Sequence, residues 1–586
     1  MTQKSSDSNT HSKVQADREV LLEAQKNGKT LRAFMKLSGP GWLQAAITLG
    51  GGSLGGALFL GVLGGTSMLW IQLFAIIMGV IMLSAISYVT LSTGKSPFKS
   101  MNQEINPALG WGWLIAAVAA NVIWCMPQFA LSFEALDRNF LGMFDYQFQK
   151  TPQAKNLVSL AMFMVASAVV LLNMKQGRAA KLFDIILKVM VGTVVICFFG
   201  VVILLFTKGG IDPGALLAGF IPDLTQWNHP AGEIREVIAG MTEQEVGAYW
   251  TDTIVTAQRN VMIAAAATAV GINMTFLLPF SMLVRGWDKP FRGLARFDLA
   301  TGMAIPYLLV TSCVVIATSA TLHNQLDDHL KSTDIAQMEK SEYFSAIKPI
   351  LQKRVVSLDK TGQFDGLSPE EVDALALPMI AVLGENEKRA AMSLVKPNAF
   401  QLSKTLEPLL GEGPANFVFG IGVLGMGFST IVILMLINGY AIREMFGGGD
   451  SPVPFVIGCL LAGLFGSQWW VFWGGDTKFW FVIVASVLGS MLLPVAYGSF
   501  FLMMNSKRIL GDEKPTGFRM IVWNVLMLFA LVGATVAAGS AIYTKMMDKQ
   551  HPMVFQIIVG VLIVYSLLII AGFIWNGNRR KRALES

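Results

Sequence analysis

Runs of about twenty predominantly apolar residues, the length that crosses a hydrocarbon layer about 30 Å thick, recur along this chain. They fall at 39–64, 67–92, 108–136, 156–174, 181–206, 260–284, 298–321, 413–441, 452–473, 479–504, 520–544 and 553–575. Twelve such runs specify an all-α polytopic membrane protein, because only helices satisfy their own backbone groups segment by segment in lipid. Composition agrees: 14% of the residues are charged, against about 25% in soluble domains. The formal charge of +6 does not point to nucleic acid, because the basic residues lie between apolar runs and form no single face. Cys125, Cys197, Cys313 and Cys459 all sit in apolar runs without metal-ligand spacing, and read as buried free thiols.

Lys and Arg placement sets the expected orientation. With the N-terminus inside, Lys95 and Lys99, Lys175 to Lys181, Arg285 to Arg296, Lys507 to Arg519, and the run Arg579–Arg582 all fall on the inner side. Both ends are thus expected to be cytoplasmic, in a multi-pass protein of the cell (inner) membrane. The expected organisation is a mobile polar tail at 1–36, helices one to five at 37–206, and an outer insert at 207–259. Helices six and seven follow at 260–321, then an outer insert forming a helical cap at 322–412, helices eight to twelve at 413–578, and a basic tail at 579–586. Within the cap, Asp359 to Glu370 loosely echoes a calcium-binding loop, but Phe364 stands where the sharp-turn glycine belongs. An ordinary loop leading into a helix capped by Ser368 is the preferred reading.

No charged residue occurs from Leu37 to Gly94, and that stretch contains Leu49-Gly-Gly-Gly-Ser53-Leu-Gly-Gly56. Each glycine costs a helix roughly 1 kcal/mol against alanine. The run fits close helix packing and equally an unwound segment lining a cavity. The sixth apolar run, Asn260 to Val284, is also uncharged and carries Asn273, Thr275 and a central Pro279, which removes one backbone hydrogen bond and obstructs another. Interrupted helices five spans apart are the pattern of an inverted repeat with a site at its middle. That pairing favours the unwound reading.

These residues resemble the Nramp family of proton-coupled divalent-metal transporters. Gly39-Pro-Gly41-Trp-Leu43 is similar to the family's first-helix opening, and Ala269-Val-Gly271 with Pro279 to its sixth helix. Gln176-Gly-Arg178 to Asp184 resembles the start of the fifth, and Phe419 to Phe446, with Gly439 and Glu444, the transport signature after the eighth. Leu493-Pro494, Ala496 and Ile509-Leu-Gly511 follow the tenth helix and its loop. The resemblance covers about 30 to 545 outside the two inserts. It implies a LeuT-like inverted 5+5 helix repeat, here with about two extra C-terminal helices.

The departures cluster where that family holds metal. Its Asp-Pro-Gly-Asn motif aligns with Gly50-Gly51-Gly52-Ser53, and its Met-Pro-His motif with Leu278-Pro279-Phe280. Its tenth-helix glutamine aligns with Ser486, and its third-helix acids with Cys125 and Gln128. The resemblance therefore implies a substrate site at Gly50, Gly51, Gly52, Ser53, Thr275, Leu278, Pro279, Phe280 and Ser486, with no metal ligand set. Desolvating one unit charge costs on the order of 20 kcal/mol in the Born limit, and the cost grows with the square of the charge. Hydroxyls and free carbonyls suit a monovalent or hydrated ion better than bare manganese or iron. Proton coupling needs a titratable group at depth, and none stands at the aligned positions.

Other intramembrane polar residues have expected roles of their own. Asn121 and Gln128 are expected to bond neighbouring helices. Glu134 and Asp137 are expected near water, Arg443 and Glu444 at the inner boundary, and Asp184 and Lys188 as a pair on one helix face. Trp469, Trp470 and Trp473 read as an interfacial belt.

The resulting expectation is a secondary transporter of a small solute or ion, working by alternating access. A half-helix N-terminus favours an anionic group such as a carboxylate, and the family resemblance favours a hydrated or weakly coordinated cation. The alternative is a membrane sensor or scaffold that has kept the fold without transport. No enzyme is expected, because no nucleophile, acid and base cluster at membrane depth. No cofactor is expected, and the partners are the lipid bilayer and the small-molecule or ion substrate.

Overall fold

The computed structural model describes residues 2–144, 151–174, 178–209, 212–449, 451–474, 478–547 and 552–585. Counting helices of eight residues or more, the chain opens with α1 (Thr2–Lys26), α2 (Thr30–Leu37), α3 (Pro40–Thr48) and α4 (Gly51–Gly64). There follow α5 (Leu69–Thr93), α6 (Pro107–Glu134), α7 (Pro152–Met174), α8 (Arg178–Thr207), α9 (Gln244–Ala269) and α10 (Ile272–Val284). Next come α11 (Arg292–Leu299) and α12 (Ile305–Leu322), then α13 (Phe344–Ser357), α14 (Pro369–Ala381) and α15 (Glu385–Ser393). The chain ends with α16 (Glu412–Met445), α17 (Val453–Ser467), α18 (Lys478–Ser490), α19 (Leu493–Asn505), α20 (Gly517–Met546) and α21 (Pro552–Glu585).

Each of the twelve expected spans has a helix beneath it. The first is split into α3 and α4, the sixth into α9 and α10, and the tenth into α18 and α19. Burial separates an inner bundle from its periphery. The most apolar window of α9–α10 is 89% buried, whereas that of α20 is 28% and that of α21 only 6%. The last two helices therefore present their apolar surface to lipid, as additions around the inner bundle.

Three expectations change. The N-terminal segment is helical and docked, not a free tail: Leu21 is fully buried, and Arg18 pairs with Asp288 at 3.0 Å. The sixth span extends back to Gln244, so its first turns belong to the cap. The two inserts also share one core. Ile234, Ile238, Trp250 and Ile254 from the first insert pack with Leu330, Phe344, Ile347 and Leu351 from the second. The Ser368 cap forms as expected, its side chain accepting from the Glu371 N–H while Glu371 bonds back. In the loop before it, Asp359 Oδ1 is taken by the backbone and hydroxyl of Thr361. Among the described residues no three acids, histidines or cysteines group as metal ligands, and all four cysteines are free.

A candidate substrate site between two broken helices

The first helix breaks at Leu49–Gly50. Gly50 is extended (φ −78°, ψ −179°), a conformation open to any residue, so its conformation does not require glycine. Space does. A Cβ on Gly50 would stand 2.3 Å from Thr430 Oγ1, and one on Gly51 would stand 2.6 Å from Gln128 Oε1. The glycine run lets α4 begin against α6 and α16.

The sixth helix breaks at Val270–Gly271, not at Pro279. A Cβ on Gly271 would lie 2.2 Å from the Trp124 ring, and one on Gly489 would lie 2.6 Å from the same ring. Trp124 of α6 is thus wedged between two glycines, one on each neighbouring broken helix. Pro279 sits inside α10, which runs on through it.

The four half-helix ends are tied across the break. The Ser53 hydroxyl donates to the Thr268 carbonyl at 3.2 Å. Thr48 Oγ1 donates to Gln44 O at 3.0 Å and lies 3.4 Å from Ala269 O and 3.7 Å from Met274 Sδ. These bonds occupy two of the last carbonyls of α9, which have no partner within their own helix.

Between these ends lies a cavity of about 30 Å³. That exceeds the roughly 10–15 Å³ a cavity needs to hold a water, so this one has room for water or a single small ion. Its polar lining is neutral: Ser53, Trp124, Gln128, Thr268, Asn273, Thr430 and Ser486, with the Met274 thioether. Four of these residues carry a buried polar atom without a protein partner: Trp124 Nε1, Gln128 Oε1, Asn273 Nδ2 and Ser486 Oγ. Orphaned buried groups are uncommon in folded proteins. Four around one cavity supply hydrogen-bonding capacity for something inside it.

Of the residues expected here, Gly52, Ser53 and Ser486 line the cavity, and Gly50 and Gly51 form the break beside it. Thr275, Leu278, Pro279 and Phe280 do not line it. Thr275 is buried and accepts from Trp113 Nε1 at 2.9 Å. Leu278 lies in the hydrophobic core, and Phe280 stacks with Phe276 and Tyr440 at ring separations of 4.8 and 5.9 Å. The lining contributed by α10 comes instead from its first turn, Asn273 and Met274, so a thioether is present after all.

Trp124 and Thr430 carry no signal of this role in the sequence, and Gln128 is expected there to bond a neighbouring helix. Gln128 sits on a face that could equally bond a neighbouring helix, and only the fold shows that it does not. Glu134, expected near water, is buried and accepts from Ala399 N–H at 3.0 Å. Trp469 is likewise buried, donating to Ser159 Oγ at 3.0 Å. Glu444 accepts from Ser96 at 2.8 Å, joining α16 to the short helix after α5. The side chains of Asp184 and Lys188, and residues 175–177, lie outside the described ones.

At the end of the bundle away from the cap, Asp298 of α11 holds the start of α3. Its carboxylate accepts from the Ser38 hydroxyl, from Gly39 N–H at 3.1 Å and from Gly41 N–H at 2.6 Å. A carboxylate there also favours the positive end of the α3 dipole.

The family profile described as natural resistance-associated macrophage protein-like matches residues 41–353 and 374–544. Among solved structures, the manganese transporter of Eremococcus coleocola, in complex with an aromatic bis-isothiourea substituted compound, is 13% identical. The match covers 94% of this chain and 96% of that one at a TM-score of 0.57. Two point mutants of that transporter match at 12% identity over the same shares, with TM-scores of 0.49. No curated protein matches the sequence. Likeness at 13% identity speaks for a shared fold, the LeuT-type arrangement of paired broken helices. The profile spans most of the chain and both breaks, and by that match the chain belongs to the Nramp family.

Proposed function

We propose that this chain is a secondary transporter working by alternating access, and that its central site takes one small ion of low charge density, or one that keeps part of its water. Family membership supports transport across a membrane by a multi-pass helical protein. The neutral cavity of about 30 Å³ carries the finer reading.

Size argues first. A cavity of about 30 Å³ is small beside the roughly 300–1,000 Å³ of ordinary organic-ligand pockets, which favours an ion over an organic solute. Charge argues second. The lining offers amide, hydroxyl and carbonyl oxygens and one thioether, with no carboxylate. A divalent transition ion stripped of water would be left uncompensated, at a cost on the order of tens of kcal/mol in the Born limit. Neutral oxygens can replace the shell of a monovalent ion, and they can equally hydrogen-bond to retained water. Met274 is the one soft group, and a soft ligand alone does not offset that cost. The manganese of the solved relative is therefore not carried over. The proposed location is the cell membrane with both termini cytoplasmic, supported by the basic loops on the side away from the cap.

Reconstituted protein tests this reading, with flux measured for sodium, potassium, magnesium and manganese in turn and calorimetry run on manganese. The expected result is saturable flux of a monovalent ion or of magnesium, without micromolar manganese binding. Stoichiometric manganese binding that disappears in Met274→Ala would overturn it.

A further inference from the structure

A second and much larger cavity lies on the lipid side of the bundle. It is a groove of about 820 Å³ between α5, α9, α19 and α20, walled by Phe74, Met78, Leu493, Phe529, Val532 and Val536. Its floor is α9, where Ala267 separates it from the central cavity and lines both. α20 and α21 are the two least buried spans, so the groove lies on the bilayer-facing side.

Such a space does not stay empty in a membrane. Atoms lining a void lose their dispersion contacts, and water does not fill an apolar cavity. Lipid tails are as apolar as the walls, so exclusion from water gives a chain no preference for this groove. Selection has to come from its shape and from its rim.

The rim carries a cation. Arg259 of α9 donates to Trp227 O at 2.6 Å and to Asn228 Oδ1 at 2.8 Å, and its guanidinium lies 5.9 Å from the centre of the Trp227 ring. Trp227 and Asn228 also line the groove. All these partners are neutral, and no carboxylate among the described residues pairs with Arg259. Leu217, Ile221 and Leu224, in the insert segment beside it, are 70%, 68% and 71% exposed. Exposed apolar groups of that size next to a tryptophan mark a segment resting in the membrane interface. Arg259 thus stands at headgroup depth, above an apolar slot.

We propose that the groove holds one phospholipid, its acyl chain along α20 and its phosphate on Arg259. The lipid would pack directly against α9, the broken helix that forms one wall of the central site.

The test is native mass spectrometry of the full-length protein in detergent, titrated with palmitoyl-oleoyl phosphatidylglycerol. Wild type is expected to retain one lipid under activation that strips the others. Val532→Trp and Val536→Trp, each at a position more than half exposed, are expected to lose it, and Arg259→Gln to weaken it roughly fivefold. Leu562→Trp, on the outer face of α21, should leave it in place. As a second measurement, bromine-labelled acyl chains should quench wild-type tryptophan emission, and Trp227→Phe should reduce that quenching. Equal lipid retention in both valine variants would overturn the proposal, as would quenching indifferent to Trp227→Phe. A dimer appearing in place of the bound lipid would also overturn it, by assigning the groove to a second copy of the chain.

Discussion

The hydroxyl of Ser53 donates to the carbonyl oxygen of Thr268 at 3.2 Å, joining the start of one half-helix to the end of another more than two hundred residues away. Neither group has a helical partner in that direction, since Ser53 lies in the first turn of α4 and Thr268 in the last turn of α9. The bond therefore couples the two interrupted helices at the point where the proposed alternating access would move them.

Ser53→Ala removes the donor and leaves the carbonyl buried. Side-chain hydrogen bonds between membrane helices average about 0.6 kcal/mol and reach about 1.7, so a drop within that range is expected. A thermal melt of the purified variant measures it. On the proposed alternating-access reading, transport is expected to fall further than the melting temperature suggests, because the bond joins the two half-helices that would move. An unchanged melt with unchanged flux would mean that the two half-helices are held by other contacts.

Gly51→Ile is expected to insert and fold but not transport. The new Cβ meets Gln128 Oε1 at 2.6 Å and Leu131 Cδ1 at 2.9 Å, and the branches beyond it press toward α6. Overpacking of this kind costs about 1–3 kcal/mol, less than the roughly 5–15 kcal/mol that separates a typical folded protein from its unfolded state. Membrane yield compared with flux separates the two effects. Full activity would assign the glycine run to plain packing.

The second break gives a sharper contrast. Gly271→Ala drives a Cβ to 2.2 Å from the Trp124 ring, displacing the wedge that closes one side of the cavity, and should abolish transport. Pro279→Ala restores a backbone donor inside a helix that is already continuous, so transport should survive it and the melting temperature should hold or rise. The reverse ranking in a flux assay would return the break to the proline.

That contrast also shows what the sequence could and could not tell. The first break was legible, because a glycine run in an uncharged stretch signals lost helix propensity and close approach together. The second was not: it lies at Gly271, eight residues before the Pro279 that the sequence points to. Proline is a strong local breaker, but its cost can be absorbed within a packed membrane helix, while the single glycine at 271 is needed only because Trp124 occupies the space beside it. That is a tertiary fact with no local signature. Gln128 is similar: an amide on an apolar helix looks the same whether it bonds a neighbour or faces a cavity. The helical cap was legible from its amphipathic patterns and from Ser368, but the shared core of the two inserts joins segments about 80 to 120 residues apart in sequence, from Ile254 and Leu330 to Ile234 and Leu351.

His323 gives the pH prediction. It follows the last residue of α12 at the cap end of the bundle, with Nδ1 2.9 Å from Val62 O, the carbonyl near the end of α4. Its Nε2 is buried without a partner. Burial pushes the imidazole below its ordinary value of 6.5, outweighing the bond to Val62 and the charge of Glu233, which both act the other way. The neutral ring donates from Nδ1–H, and protonation would place an unsatisfied N–H and a charge in the junction between α4 and the cap. Because the folded value lies below the unfolded one, this contribution to stability is complete above pH 6.5 and lost as the pH falls from there through the folded value. The slope is at most about 1.4 kcal/mol per pH unit for one proton. Melts of wild type between pH 8 and pH 5 should therefore show a fall that is shallower in His323→Gln, a variant that can still donate to Val62 but does not titrate. Parallel curves for the two proteins would remove His323 as the source of the acid sensitivity.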